Sequence, residues 1–333
     1  MAASMQNDAR AYRVTLICVW ALLGTAAGIY SIQQHIPAWI SIPFLIAALI
    51  EVALYLLPGF ASGRALVESF HPLAVRAFAI EVSALVPYCV YALGTGTFHW
   101  RSLGWLALVT TALSAWYVLR TKKQFYADLL FLALIAAVLL TKLFDRIYIE
   151  LHPRVPAEKL GQLMWIRTGI LSVLTIRGMS GINFGFLPTR KDWSIGIQQF
   201  VLFTPVAILL GIAIRFAQPH AAFTVWWKGV ALAIGTFAAV LWVLALSEEF
   251  FVRGMLQQLL VKRLKSTAGG LILTSLLFGA VHLPFRHFPN WRFALLAALA
   301  GIFYGLAYLR AGSVRAAMVT HALVVTTWKV FFV

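Results

Sequence analysis

The chain has 333 residues, 62% of them hydrophobic and only 11% charged, with a formal net charge of +16. A soluble domain carries roughly 45–50% apolar and about 25% charged residues, so this composition excludes one and indicates an integral membrane protein. The basic excess sits in short loops between apolar runs, which is the positive-inside pattern of membrane proteins and argues against a nucleic-acid partner.

Apolar runs long enough to cross a bilayer fall near residues 14–30, 40–57, 73–93, 103–119, 128–144, 200–216, 229–260, 271–282, 293–309 and 314–332. The first has no small-residue cleavage site after it and reads as an uncleaved helix. Residues 165–186 are interrupted by Arg167, Arg177 and several glycines, and fit either a short span or a helix lying at the interface. The expectation is an all-α, polytopic bundle of about ten or eleven crossings. It divides into an N-terminal transmembrane region over 1–150, a connecting, interfacial segment over 151–194, and a C-terminal membrane domain over 195–333.

Arg10, Arg13, Arg64, the cluster Arg120, Lys122 and Lys123, then Arg190, Lys191, Lys262, Arg263, Lys265, Arg310 and Arg315 place one set of loops, and the N-terminus, on the cytoplasmic side. Arg286 and Arg292 run against that pattern. Cys18 and Cys89 lie inside apolar runs and form no disulfide or metal pattern. Three acids fall in or beside spans of the first region. Asp128 is expected at the interface near Lys122 and Lys123, Glu81 in a loose pair with Arg76, and Glu51 has no evident partner.

The most informative acids are the adjacent Glu248 and Glu249, in the middle of the run 229–260. A charge near the bilayer centre costs at least ~2.5–3.5 kcal/mol, so intramembrane carboxylates are functional candidates. Arg253 follows Glu249 by four residues, one turn on and on the same face, and can pair with it. Glu248 points elsewhere and has no partner in its own helix, leaving a carboxyl suited to general-base work.

Helix length brings a second group to the same depth. Glu248 lies fourteen residues before the polar turn that starts at Lys262, and His282 lies fifteen after that turn ends at Thr267. At ~1.5 Å per residue both sit about 21–23 Å from the turn, level with each other in an antiparallel hairpin. A carboxyl and an imidazole at one depth can share a water molecule, as a hydrolase requires. His321 is only eight residues past Ser313, about 12 Å on the same ruler, so its helix must start deeper or tilt for it to join them. Two histidines and a glutamate could instead form a three-ligand zinc site, although no HExxH spacing is present.

Taken in order, Glu248-Glu249-x-x-x-Arg253, Phe278-x-x-x-His282 and the later His321 resemble the motif series of the CPBP family of CAAX proteases and bacteriocin-processing proteins. That family of intramembrane proteases includes the type II CAAX prenyl endopeptidases. The resemblance covers about the final third of the chain. It implies that Glu248 and His282 activate water and that His321 stabilises the oxyanion, with Glu249, Arg253 and Phe278 supporting them. That water mechanism accounts for these residues without an ion, so no metal is expected. Many members carry Asn or another polar residue four positions after the last histidine, where this chain has Val325. Thr326, Thr327 or Asn290 could fill that role.

The reading is an intramembrane endopeptidase acting on a membrane-associated protein or peptide, within a bacterial inner membrane. Two alternatives stand beside it: a non-catalytic scaffold or immunity-type relative, which Val325 would suit, and a transporter that uses Glu248 for ion coupling. The repeated broken helices of many transporters are not evident.

Overall fold

A computed structural model describes residues 2–119, 124–285 and 287–332. The basic cluster Arg120, Lys122 and Lys123, and also Arg286, lie outside the described residues. Among the described residues the regular structure is helical, apart from one isolated antiparallel bridge between Pro219 and Phe332. That is the solution hydrocarbon demands, because a helix satisfies its own N–H and C=O groups. The protein is therefore an all-α polytopic membrane protein.

The chain forms two compact units, Met1–Met179 and Ser180–Val333. The first holds α1 (Ala2–Gln33), α2 (Ala38–Leu56), α3 (Ala61–Glu68), α4 (Leu73–Thr95), α5 (Trp100–Ser114), α6 (Trp116–Leu119), α7 (Phe125–Leu140), α8 (Leu143–Ile147) and α9 (Glu158–Leu171). The second holds α10 (Arg190–Ala213), the long α11 (Trp226–Leu264), α12 (Thr267–Ala280), α13 (Trp291–Ala311) and α14 (Val314–Phe331). The expected connecting segment over 151–194 is shared between them, since α9 belongs to the first unit and residues 180–194 to the second.

Against an expectation of ten or eleven crossings, six described helical segments are long and apolar enough to span: Met5–Gln33, Ala38–Gly59, Leu73–Thr95, Arg190–Ala213, Trp226–Leu264 and Trp291–Ala311. Several other runs form shorter elements. Run 103–119 is broken at Ala115 between α5 and α6, and α12 has 14 residues, about 21 Å.

Polarity is distributed for lipid rather than water. Leu22, Phe78, Leu209 and Ile234 are exposed, while Glu51, Arg167, Glu249 and Arg253 are buried. The first unit corrects two expectations about its acids. Glu51 is paired after all: Arg167 on α9 donates from Nε to its Oε1 at 3.0 Å and from Nη2 to its Oε2 at 3.1 Å, while Arg167 Nη1 reaches Ser83 Oγ at 2.8 Å. Asp128, in the first turn of α7, is buried and held by Arg177 through two contacts of 2.9 Å. Glu81 accepts from Thr111 Oγ1, and Arg76 instead donates to the carbonyls of Thr175 and Glu68. The two arginines that made 165–186 look unlike a span are thus the counterions of Glu51 and Asp128.

Candidate active site

Glu248 and Glu249 lie in α11 where its winding changes. The four residues Leu246–Glu249 are α-helical, between π-helical stretches at Val240–Ala245 and Phe250–Gln257. Such widened turns are frequent at functional positions. The two carboxylates end up in opposite circumstances. Glu249 is fully buried and both of its oxygens are engaged. Arg253 Nε donates to Oε2 at 3.1 Å, and His321 Nδ1 donates to Oε1 at 2.8 Å. Glu248 keeps 31% of its side chain accessible, with Oε2 4.0 Å from His321 Nε2. It is also within electrostatic range of His282.

His282 immediately follows α12, and its Nδ1 lies 2.7 Å from the carbonyl of Phe278. A carbonyl only accepts, so Nδ1 carries the proton and Nε2 is left with a lone pair. His321 likewise directs Nδ1–H at an acceptor, the Glu249 carboxylate. The backbone keeps a helical turn through this point, since His282 N donates to Gly279 O at 3.0 Å.

Phe278 is the packing centre of the group. Its ring meets His282 edge-on at 4.9 Å between centroids and His321 at 6.1 Å, while the Arg253 guanidinium lies 5.2 Å over it. All six residues singled out from the sequence (Glu248, Glu249, Arg253, Phe278, His282 and His321) therefore belong to one cluster.

His321 is held in place by the packing of the first turns of α14. Val314, Ala316 and Ala317 are fully buried. Val314 N donates to Ile182 O at 3.3 Å, and Asn183 Nδ2 donates to Gly312 O at 2.6 Å, so residues 182–183 overlie the helix start. On another side α10 holds α14: Arg315 Nε pairs with Asp192 at 3.1 Å, and Thr320 Oγ1 donates to Gly196 O at 3.0 Å. The absence of a side chain at Gly196 allows this approach, because a Cβ there would lie 2.7 Å from Val319 Cβ.

Of the polar groups considered as substitutes at Val325, Asn290 is committed to capping α13: its Oδ1 accepts from Phe293 N and its Nδ2 donates to Phe285 O. Thr327 lines a shallow groove with Phe200 and Trp328. Thr326 keeps a buried Oγ1 without a partner among the described residues. Sequence reasoning passed over Tyr304, whose buried ring stacks on His321 at 4.6 Å with an interplanar angle of 13°. An aromatic residue in an apolar helix gives no signal that separates it from ordinary packing.

Among the described residues, no three His, Cys, Asp or Glu side chains are grouped so as to hold a metal ion. Each histidine is oriented through Nδ1 by a protein acceptor, which leaves Nε2 directed elsewhere.

No curated protein and no solved structure matches the chain. Residues 230–327, which contain the whole cluster, match the family described as type II CAAX prenyl endopeptidase Rce1-like.

Proposed function

We propose that the chain hydrolyses a peptide bond of a membrane-associated protein or peptide, with Glu248 as general base. The match of residues 230–327 to an Rce1-like CAAX endopeptidase family supports the reaction class. The observation that supports the assignment is the contrast between the two glutamates: Glu249 is saturated by Arg253 and His321, whereas Glu248 is open and faces His321 Nε2 across 4.0 Å. A water bonded to both at ~2.8 Å would subtend about a right angle, which is acceptable geometry.

In this mechanism the water oxygen attacks the carbonyl carbon as its proton passes to Glu248. The lone pair on His282 Nε2 accepts the water's other proton in a hydrogen bond and orients it. The oxyanion is stabilised by Nε2–H of a protonated His321, whose opposite edge is fixed by Glu249 and, behind it, Arg253. The C–N bond then breaks, and the proton on Glu248 passes to the leaving amine. No step runs through a metal.

The loops' positive charge supports an N-terminus in the cytoplasm. With a bacterial inner membrane as the proposed location, a leader peptide, a sorting-tail protein or a membrane-anchored regulator is at least as suitable a substrate as a prenylated tail. The test is a membrane-peptide library incubated with the purified protein in liposomes, with new termini identified by mass spectrometry. Wild type should cleave a subset that Glu248→Ala leaves intact. Identical cleavage by both proteins, or none by wild type, contradicts the proposal.

A further inference from the structure

The hydrogen bond to Glu249 fixes one point of the His321 imidazole and leaves the ring free to swing about that point. Where Nε2 aims then depends on what packs against the ring's faces and edges. Tyr304 lies flat on one face, 4.6 Å away and 13° from parallel, and is itself buried. Phe278 meets both rings edge-on, at 6.1 Å from His321 with planes at 85° and at 6.1 Å from Tyr304 with planes at 72°. The histidine is thus held by a flat wall, an edge and one hydrogen bond, which together define a plane and a direction. Removing the wall frees rotation without removing the hydrogen bond.

We propose that Tyr304 is a positioning residue for His321: its ring face, rather than its hydroxyl, holds the imidazole so that Nδ1 meets Glu249 and Nε2 aims at the space beside Glu248. The proposal rests on the reading of this cluster as a protease site, but its first readout does not need activity. An aromatic wall is required because only a flat, rigid face restrains ring rotation. A flexible aliphatic chain of similar volume fills the space and leaves the torsion soft.

The experiment uses full-length protein in nanodiscs, labelled with ring-15N histidine, with His321 assigned from the signal lost in His321→Gln. Wild type and Tyr304→Phe should each show one fixed, Nδ1-protonated state of His321. Tyr304→Leu and Tyr304→Met, both kept because one may fold poorly, should show exchange-averaged nitrogens. With a fluorogenic peptide that the wild type cleaves, the aliphatic variants should lose about 10–100-fold in kcat with KM within about threefold, since an ångström of misplacement costs on that scale. Tyr304→Phe should stay within about threefold of wild type.

A single fixed state in the aliphatic variants overturns the proposal. So does a Tyr304→Phe protein as disordered or as slow as they are, which would make the hydroxyl the operative group. If the nitrogens average as expected but Glu248→Gln cleaves as fast as wild type, the positioning stands and the protease assignment of the cluster fails.

Discussion

Glu248 and Glu249 share a peptide bond, yet only Glu248 keeps an accessible carboxylate, because Arg253 on the same helix and His321 on α14 hold Glu249. Arg253 was foreseeable from helical spacing, and the 3.1 Å contact agrees. The third member of the chain, His321, comes from 72 residues later and no local rule could place it. Arg253 itself is fully buried, with Nη1 and Nη2 lacking hydrogen-bond partners among the described residues and the Phe278 face beneath it. Removing it would strand a buried carboxylate on a single histidine. Breaking a buried pair in this way costs about 3–5 kcal/mol. Arg253→Ala should therefore give less monodisperse protein and a lower melting temperature, as well as less activity. Unchanged yield and melting would show that His321 alone satisfies Glu249.

At the scale of elements, the hairpin ruler succeeded for His282 and was insufficient for His321, for a physical reason. It measures depth from a turn and assumes the turn lies at a surface. The turn between α11 and α12 is polar and exposed at Lys265, so the assumption holds there. The turn before α14 exposes Gly312 but is tied to residues 182–183 and leads at once into the buried Ser313 and Val314, and an irregular segment of this kind has no periodicity to read. The placement of His321 then depends on the contact between α10 and α14, where Gly196 faces Val319 and Ala316. Gly196→Val would set a side chain 2.7 Å from Val319 Cβ and 2.9 Å from the Ala316 carbonyl. Overpacking of this sort costs about 1–3 kcal/mol. The variant should melt lower and lose turnover together, whereas Gly24→Val, at a position with open space around it, should do neither. Circular dichroism melts and turnover of the two variants check this.

At the scale of the molecule, the all-helical membrane class was legible from composition and apolar runs, because hydrocarbon permits little else for a chain of this kind. Less legible were the ion pairs that organise the first unit, where Glu51 and Arg167 are separated by 116 residues and Asp128 and Arg177 by 49. In sequence each looked like an isolated charge in an apolar run. In the fold Glu51 and Arg167 neutralise one another in a fully buried, doubly hydrogen-bonded pair. Either single variant, Glu51→Leu or Arg167→Leu, should destabilise the protein by about 3–5 kcal/mol, and the double variant by less than the sum. Thermal melts of the three proteins decide it, and additive losses would mean that the two residues do not act as a pair. The central claim, that Glu248 activates water for peptide hydrolysis without a metal, is tested most directly by turnover of a cleaved library peptide in 18O-labelled water after exhaustive chelation. Wild type should keep its rate and place one 18O in the new carboxyl group, while folded Glu248→Gln should fall below about a tenth of that rate. Loss of wild-type activity on chelation with recovery on stoichiometric zinc, or full turnover by Glu248→Gln, would contradict it.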